Sequence, residues 1–182
     1  MELKVWKGRP VTKERRLPKE ERTYDLLDEL NIEYERVDHE PAMTMDACDD
    51  IINAFHTPIC KNLFLCNAGK TDFYLLVMPG DKKFKTKIVS SQLGVSRLSF
   101  APEEYLLDFL DITPGSVSIM GLMNDKDNRV KLLVDREILN DEYFACHPCI
   151  NTSSIKLRTS DVFGPFLEKI HHEAVYVDLE ES

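Results

Sequence analysis

Apolar positions along the chain change period several times, and each change marks an element. Leu26, Leu27 and Leu30 recur at helical spacing behind Thr23, a residue type that caps helices, so a helix is expected from there. Glu33-Tyr34-Glu35-Arg36-Val37 alternates as a half-buried strand does. Thr44 is expected to cap a second helix with Ala47, Ile51, Ile52 and Phe55 on one face, ended by Pro58. β-signals then concentrate. The apolar runs 61–66 and 72–78 flank Asn67-Ala68-Gly69-Lys70, a short polar connection, and read as a hairpin closed by Pro79-Gly80-Asp81.

The second half continues the mixture. A helix is expected over 84–93, stopped by Gly94, then a short strand at 97–100 and a helix opened by Pro102-Glu103-Glu104 that carries Tyr105, Leu106, Phe109 and Leu110. Residues 113–116 form a loop, and strands follow at 130–134, 143–146 and 154–157. Ser160 is placed to cap a last helix through Phe163, Phe166, Leu167 and Ile170, although Pro165 is awkward inside it and would shift its regular part later. Residues 174–177 make a terminal strand. Helices interspersed with hairpins, without strict β-α-β alternation, predict an α+β fold, a mixed sheet wrapped by helices. At 182 residues, with no repeat or linker, the chain is expected to be a single domain over 23–182 behind a basic arm at 1–22.

Charge changes the picture once it is counted by segment. The total, 23 Lys+Arg against 32 Asp+Glu, gives −9 and argues against a protein that coats nucleic acid. Residues 82–100, however, hold Lys82, Lys83, Lys85, Lys87 and Arg97 and no acid, a basic island between acidic blocks. Such an island is either a solvated loop or a local anion site. Without an apolar leader or any stretch of 18 apolar residues, the chain is expected to be cytoplasmic and to touch no membrane. Five cysteines then read as reduced thiols.

Motif absences narrow the chemistry. There is no Gly-x-Gly-x-x-Gly, Walker loop, His-Glu-x-x-His or Gly-x-Ser-x-Gly, so nucleotide cofactors, zinc peptidase and serine hydrolase chemistry lack support. Three features remain. Cys146-His147-Pro148-Cys149 is either a metal or redox pair or a strand end turned by Pro148; zinc would want about four ligands and no second pair is present. Lys61 falls on the apolar face of its strand with Leu63 and Leu65, either snorkelling to solvent or held to meet a phosphate or a developing oxyanion. The loop from Thr113 through Gly115 to Leu122 could present backbone N–H groups to an anion.

Five stretches, in order, carry a resemblance: Lys61-Asn62-Leu63-Phe64-Leu65, Met78-Pro79-Gly80-Asp81-Lys82-Lys83, the run 93–101, Pro114-Gly115-Ser116-Val117-Ser118, and His147-Pro148 with Asn151-Thr152. Together the chain resembles the YbaK/prolyl-tRNA-synthetase-associated editing domain family, in particular its free-standing members that deacylate alanyl-tRNA carrying the proline anticodon. The resemblance implies a mixed sheet closed toward a barrel and hydrolysis of an aminoacyl ester with no cofactor, no metal and no protein nucleophile. It casts Lys61 and Gly115 as catalytic, and Asn62, Ser116, Ile119 and His147 as substrate-binding. The island residues Lys82, Lys83, Lys87 and Arg97 would hold the acceptor end of an aminoacylated proline tRNA, with the 1–22 arm helping; prolyl-tRNA synthetase is a further partner and DNA is not. Ile119 stands where the family often has Pro, which keeps a cysteinyl-tRNA deacylase as the alternative substrate reading. A non-catalytic aminoacyl-tRNA or synthetase binder is the alternative outside catalysis.

Overall fold

The computed structural model describes residues 2–41 and 45–179. Nine strands form two sheets among those residues. The first has the order β1 (Val5–Lys7), β2 (Tyr34–Asp38), β8 (Ser153–Arg158), β7 (Tyr143–Cys146), all antiparallel. The second has the order β5 (Ser99–Phe100), β3 (Cys60–Cys66), β4 (Phe73–Pro79), β6 (Val130–Asp135), β9 (Ala174–Val177). In it β3 and β4 are the expected hairpin, while β6 and β9 run parallel to β4. An α+β chain with a mixed sheet is thus confirmed, but the barrel is not. Among the described residues one isolated bridge, parallel between Ile59 and Ala145, links the two sheets' backbones, at a seam where β3 begins and β7 ends.

Helices cover both sheets. The main core lies among α1 (Pro18–Glu29), α4 (Glu103–Leu110), the C-terminal helical segment and the inner faces of both sheets. Helix α3 (Thr86–Leu93) closes the other face of the five-stranded sheet over Leu63, Leu65 and Met78, and α2 (Met45–Phe55) sits by Val37 and Ala145 through Ile51 and Phe55. No helix among the described residues is long and apolar enough to cross a membrane.

Three boundaries differ from expectation for physical reasons. Helix α1 starts at Pro18, whose missing N–H costs nothing in a first turn that Glu20 and Glu21 also favour; Thr23 lies inside it, donating its hydroxyl to the Lys19 carbonyl. Within residues 2–22, β1 pairs with β2 and α1 begins at Pro18. Arg9 there meets Glu21 and Asp25, and Arg16 meets Glu20 and Asp38. Pro165 is tolerated because residues Val162–Phe166 widen into a π-helical turn between α5 (Thr159–Asp161) and α6 (Leu167–Lys169). The expected cap at Thr44 lies outside the described residues.

Candidate active site

The seam between the sheets holds a cavity of about 230 Å³. Five separate stretches build it. β3 and the residue before it give Ile59, Cys60 and Asn62; β7 and the residue after it give Ala145, Cys146 and His147; β8 gives Ser154; α2 gives Cys48 and Ile51; the loop after α4 gives Gly115 and Val117. Of the residues expected from sequence, Asn62, Gly115 and His147 are therefore brought together.

Each is held in a definite way. Gly115 has φ +90°, a left-handed conformation that a side chain would strain by roughly 1–2 kcal/mol, and a Cβ there would meet Asn151 Nδ2 at 3.4 Å. Ser116 N–H closes the turn onto the Thr113 carbonyl at 3.1 Å, while the Gly115 N–H has no backbone acceptor among the described residues. Asn62 reaches back to the Cys60 carbonyl through Nδ2 at 3.4 Å, and its Oδ1 is buried without a partner. An unpaired buried acceptor costs about 1–3 kcal/mol until something donates to it.

His147 is fixed in one tautomer. Its Nδ1 lies 3.0 Å from the Ser153 carbonyl, which only accepts, so Nδ1 carries the proton and Nε2 keeps a lone pair. Ser154 Oγ is 3.3 Å from the same Nδ1 and 2.9 Å from Nε2 of His39, whose own Nδ1 donates to the Glu40 carbonyl at 2.7 Å. The two imidazole centroids are 6.1 Å apart. Burial, the largest influence, pushes both histidines below the usual imidazole range, and for His147 the neighbouring His39 adds to it. Both rings are neutral at pH 7. Sequence reading missed His39 and Ser154; the available signal was Ser153-Ser154 at the start of a strand, a polar pair that β8 buries.

Other expected residues fall elsewhere. Cys60 and Asn62 line the cavity, so alternation along β3 puts Lys61 on the opposite face, where Leu63 and Leu65 pack under α3. Its ammonium donates to the Lys82 carbonyl. Ser116 and Ile119 do not line the cavity. Ile119 is fully buried in the main core at the start of a 3₁₀ turn, Ile119–Asn124, whose Met120 N–H is capped by Ser118. Val117, two residues after Gly115, takes the wall position.

Lys82 is a second correction. It is 5% exposed, with its ammonium 2.9 Å from Asp135, 2.6 Å from Glu137 and 2.9 Å from the Leu179 carbonyl, so it is withdrawn from any phosphate. Lys83, Lys85, Lys87 and Arg97 are exposed and form no ion pair among the described residues. The cysteine pair has the character of packed thiols. Burial pushes Cys149 up to about 11 and Cys146 higher still, the reverse of an activated thiolate. No group of three or more His, Cys, Asp or Glu among the described residues is placed to hold a metal.

Comparison with known proteins places this arrangement. The family model of the aminoacyl-tRNA editing domain matches residues 39–163, a span that runs from His39 past Ser154 and contains the whole cavity wall. The chain is 36% identical over 146 residues to the prolyl-tRNA editing protein ProX of Acetoanaerobium sticklandii, covering 79% of this chain and 85% of the relative. It is 27% identical over 157 residues to prolyl-tRNA synthetase associated domain-containing protein 1 of Bos taurus, covering 84% and 91%. Among solved structures, a candidate trans-editing enzyme for prolyl tRNA synthetase superposes with TM-score 0.66 at 12% identity over 90% of this chain and 99% of that one. Hypothetical protein APE2540 gives 0.64 at 15% over 84% and 96%, and both likenesses bear on the fold alone.

Proposed function

The chain belongs to the aminoacyl-tRNA editing domain family, and from that premise we propose that it is a trans-acting hydrolase that removes alanine from mischarged proline tRNA. The observation that carries the reading is the cavity at the seam, small and lined by the apolar Ile51, Ile59, Val117 and Ala145 together with Asn62, whose buried Oδ1 has no partner, His147 and Gly115.

Those groups match an aminoacyl ester. The α-ammonium of the aminoacyl group finds acceptors in His147 Nε2 and Asn62 Oδ1, which relieves the unpaired oxygen. The apolar wall takes a methyl side chain. The Gly115 N–H meets the carbonyl oxygen, where negative charge develops as water attacks. The water oxygen bonds to the acyl carbon, the acyl bond to the ribose oxygen breaks, a proton of the water passes to that oxygen, and the free amino acid leaves. With His147 Nε2 engaged by the α-ammonium, the terminal ribose hydroxyl beside the ester is the group left to orient the water, and the protein acts by positioning. Lys61, on the face shared with the exposed lysines, binds a phosphate of the terminal nucleotides by exchanging the Lys82 carbonyl for it.

Selection by size gives such an enzyme its purpose. A pocket made for proline discriminates against a smaller side chain by only about 1–3 kcal/mol per missing methylene, so a second, smaller site is needed. Deacylation of proline tRNA charged in turn with alanine, cysteine and proline tests the proposal. Alanine is expected to be released fastest and proline least, with Asn62→Ala and Lys61→Ala both slowed. Absence of hydrolysis of any ester by the folded wild type overturns the enzymatic reading, and preferential release of cysteine overturns the alanine assignment.

A further inference from the structure

Phe100 is the feature that the catalytic reading leaves unexplained. It sits on β5, a two-residue edge strand, and is 64% exposed although it leans on Phe84 with ring centroids 5.7 Å apart and a 58° tilt. A single exposed apolar residue is ordinary. This one follows Arg97 by three residues and packs on Phe84, which stands between Lys83 and Lys85. The Leu98 N–H bonds to Ser90 Oγ at 3.2 Å and the Thr86 hydroxyl donates to the Leu98 carbonyl, which folds the 96–100 segment back onto α3. Lys83, Lys85, Lys87 and Arg97 are exposed in the segments that carry Phe84 and Phe100, and no acid lies in the sequence from 82 to 100, the nearest being Asp81 before it and Glu103 after it.

An exposed aromatic face within a basic surface is the arrangement that holds single-stranded nucleic acid, with the cations on the phosphates and the ring on a base. Exposed Leu107 and Val175 have no comparable run of lysine and arginine beside them in sequence. The location also fits. Phe100 pairs with Leu65 of β3, three residues from Asn62, so about 10 Å of strand separates it from the cavity wall at about 3.3 Å per residue. That is about three stacked nucleotide steps of 3.4 Å. Phe100 lies on the same face of the sheet as Lys61, since residues opposite each other in an antiparallel pair share a face.

We propose that Phe100, with Lys83, Lys87 and Arg97 around it, is a stacking site for an unpaired base near the 3′ end of the RNA whose terminal ester enters the cavity. The inference rests on the tRNA reading above for the identity of the RNA. A strand running from Phe100 past Lys61 reaches the cavity across the stretch of β3 before Phe64, which the short β5 leaves uncovered. Base identity is not read there, because every base offers a π-face.

An uncharged RNA hairpin with an unpaired 3′ extension, compared with the same hairpin made blunt-ended, tests this without any hydrolysis. Phe100→Ala is expected to weaken binding of the extended hairpin by about 5- to 150-fold and to leave the blunt one unchanged. Phe100→Trp retains affinity. Phe100→Leu, which keeps apolar packing on Phe84 but offers no π-face, behaves like the alanine variant, and thermal melting of each variant checks that it is folded. Equal affinity of Phe100→Ala and wild type for the extended hairpin, or an equal loss on both hairpins, overturns the stacking site. Since the RNA is uncharged, a protein that stacks as expected yet hydrolyses no aminoacyl ester would sink the deacylase reading and leave this one standing; the converse result would do the reverse.

Discussion

Lys61, Lys82 and Lys83 stand within one short stretch of fold and carry the same charge, yet their surroundings give them different work. Lys83 points to water. Lys82 is enclosed by Asp135, Glu137 and the Leu179 carbonyl, and its own carbonyl receives the Lys61 ammonium. Asp135 is 2% exposed and also accepts the Glu137 N–H at 3.0 Å, so removing its counter-ion strands a buried charge. Lys82→Met is expected to cost about 3–5 kcal/mol in denaturant unfolding, whereas Lys83→Met stays within about 0.5 kcal/mol. Lys82→Arg restores much of the loss. His147 makes a second case at this scale. Its folded value lies below 6.5, so it stays neutral as pH falls through 6.5 and gains a proton only at the lowered value. Protonation turns Nε2 into a donor that repels an ammonium. We expect kcat/KM for alanine release to hold through pH 6.5 and to fall only below it, with the acid limb absent from the residual activity of His147→Gln. Stability moves the same way: the unfolded chain takes up its proton first, so folding weakens as pH drops through that window.

At the level of elements, most of the architecture was legible because hydrophobic period speaks directly to strand and helix. The β3–β4 hairpin, α3 stopped at Gly94 and α4 behind Pro102 all stand where the pattern put them. What period cannot carry is the satisfaction of particular groups in three dimensions. Thr23 looked like a cap because its hydroxyl is a good one, but Pro18 five residues earlier starts the helix and the hydroxyl turns to an i−4 carbonyl instead. The site divides the same way. Asn62, Gly115 and His147 were found through motif and meet at the seam, while His39 and Ser154 enter only through hydrogen bonds that no spacing announces. Ile119 was assigned to the pocket through the resemblance alone, and the 3₁₀ turn that begins at it buries its side chain in the main core instead. The N-terminal segment yields a prediction at this scale. Asp38 joins it to the sheet, accepting from Arg16 of the segment, Arg36 of β2 and Ser153 of β8. Burial, the largest influence on this carboxyl, pushes it up, but those three donors outweigh it and hold it well below the usual carboxylate range. Its contribution is therefore complete above about pH 4, the unfolded value, and is lost as pH falls through the folded one. Asp38→Asn should lower the denaturation midpoint at neutral pH, and the gap from wild type should close as both are acidified; a constant gap down to the lowest pH would mean that the carboxylate charge does not carry the link.

For the whole molecule, the net charge of −9 is the quantity most easily misread. A uniformly acidic surface would repel RNA, and the long-range field of this chain does so in most directions. Arg9, Arg16 and Arg22 of the first 22 residues do not relieve it, since carboxylates match them. Within the basic island attraction rests on Lys83, Lys85, Lys87 and Arg97, a surface smaller than the sequence suggested because Lys82 has left it for the interior. Few phosphates can then be engaged at once, and the salt dependence of binding should be shallow, with a logarithmic slope of about −2 to −4 for that number of contacts. Reversing Lys83, Lys87 and Arg97 together to Glu is expected to remove about two to three units of the slope, because each lost cation withdraws roughly one released counter-ion. The acidic remainder limits residence as well. An enzyme that edits must release the deacylated tRNA, and repulsion beyond the contact surface hastens that departure at low salt, so substituting Asp or Glu residues remote from the cavity by neutral ones should slow RNA dissociation while leaving the single-turnover rate of ester cleavage unchanged. A slower cleavage step in such variants, with dissociation unaffected, would show that the acidic surface serves catalysis rather than release.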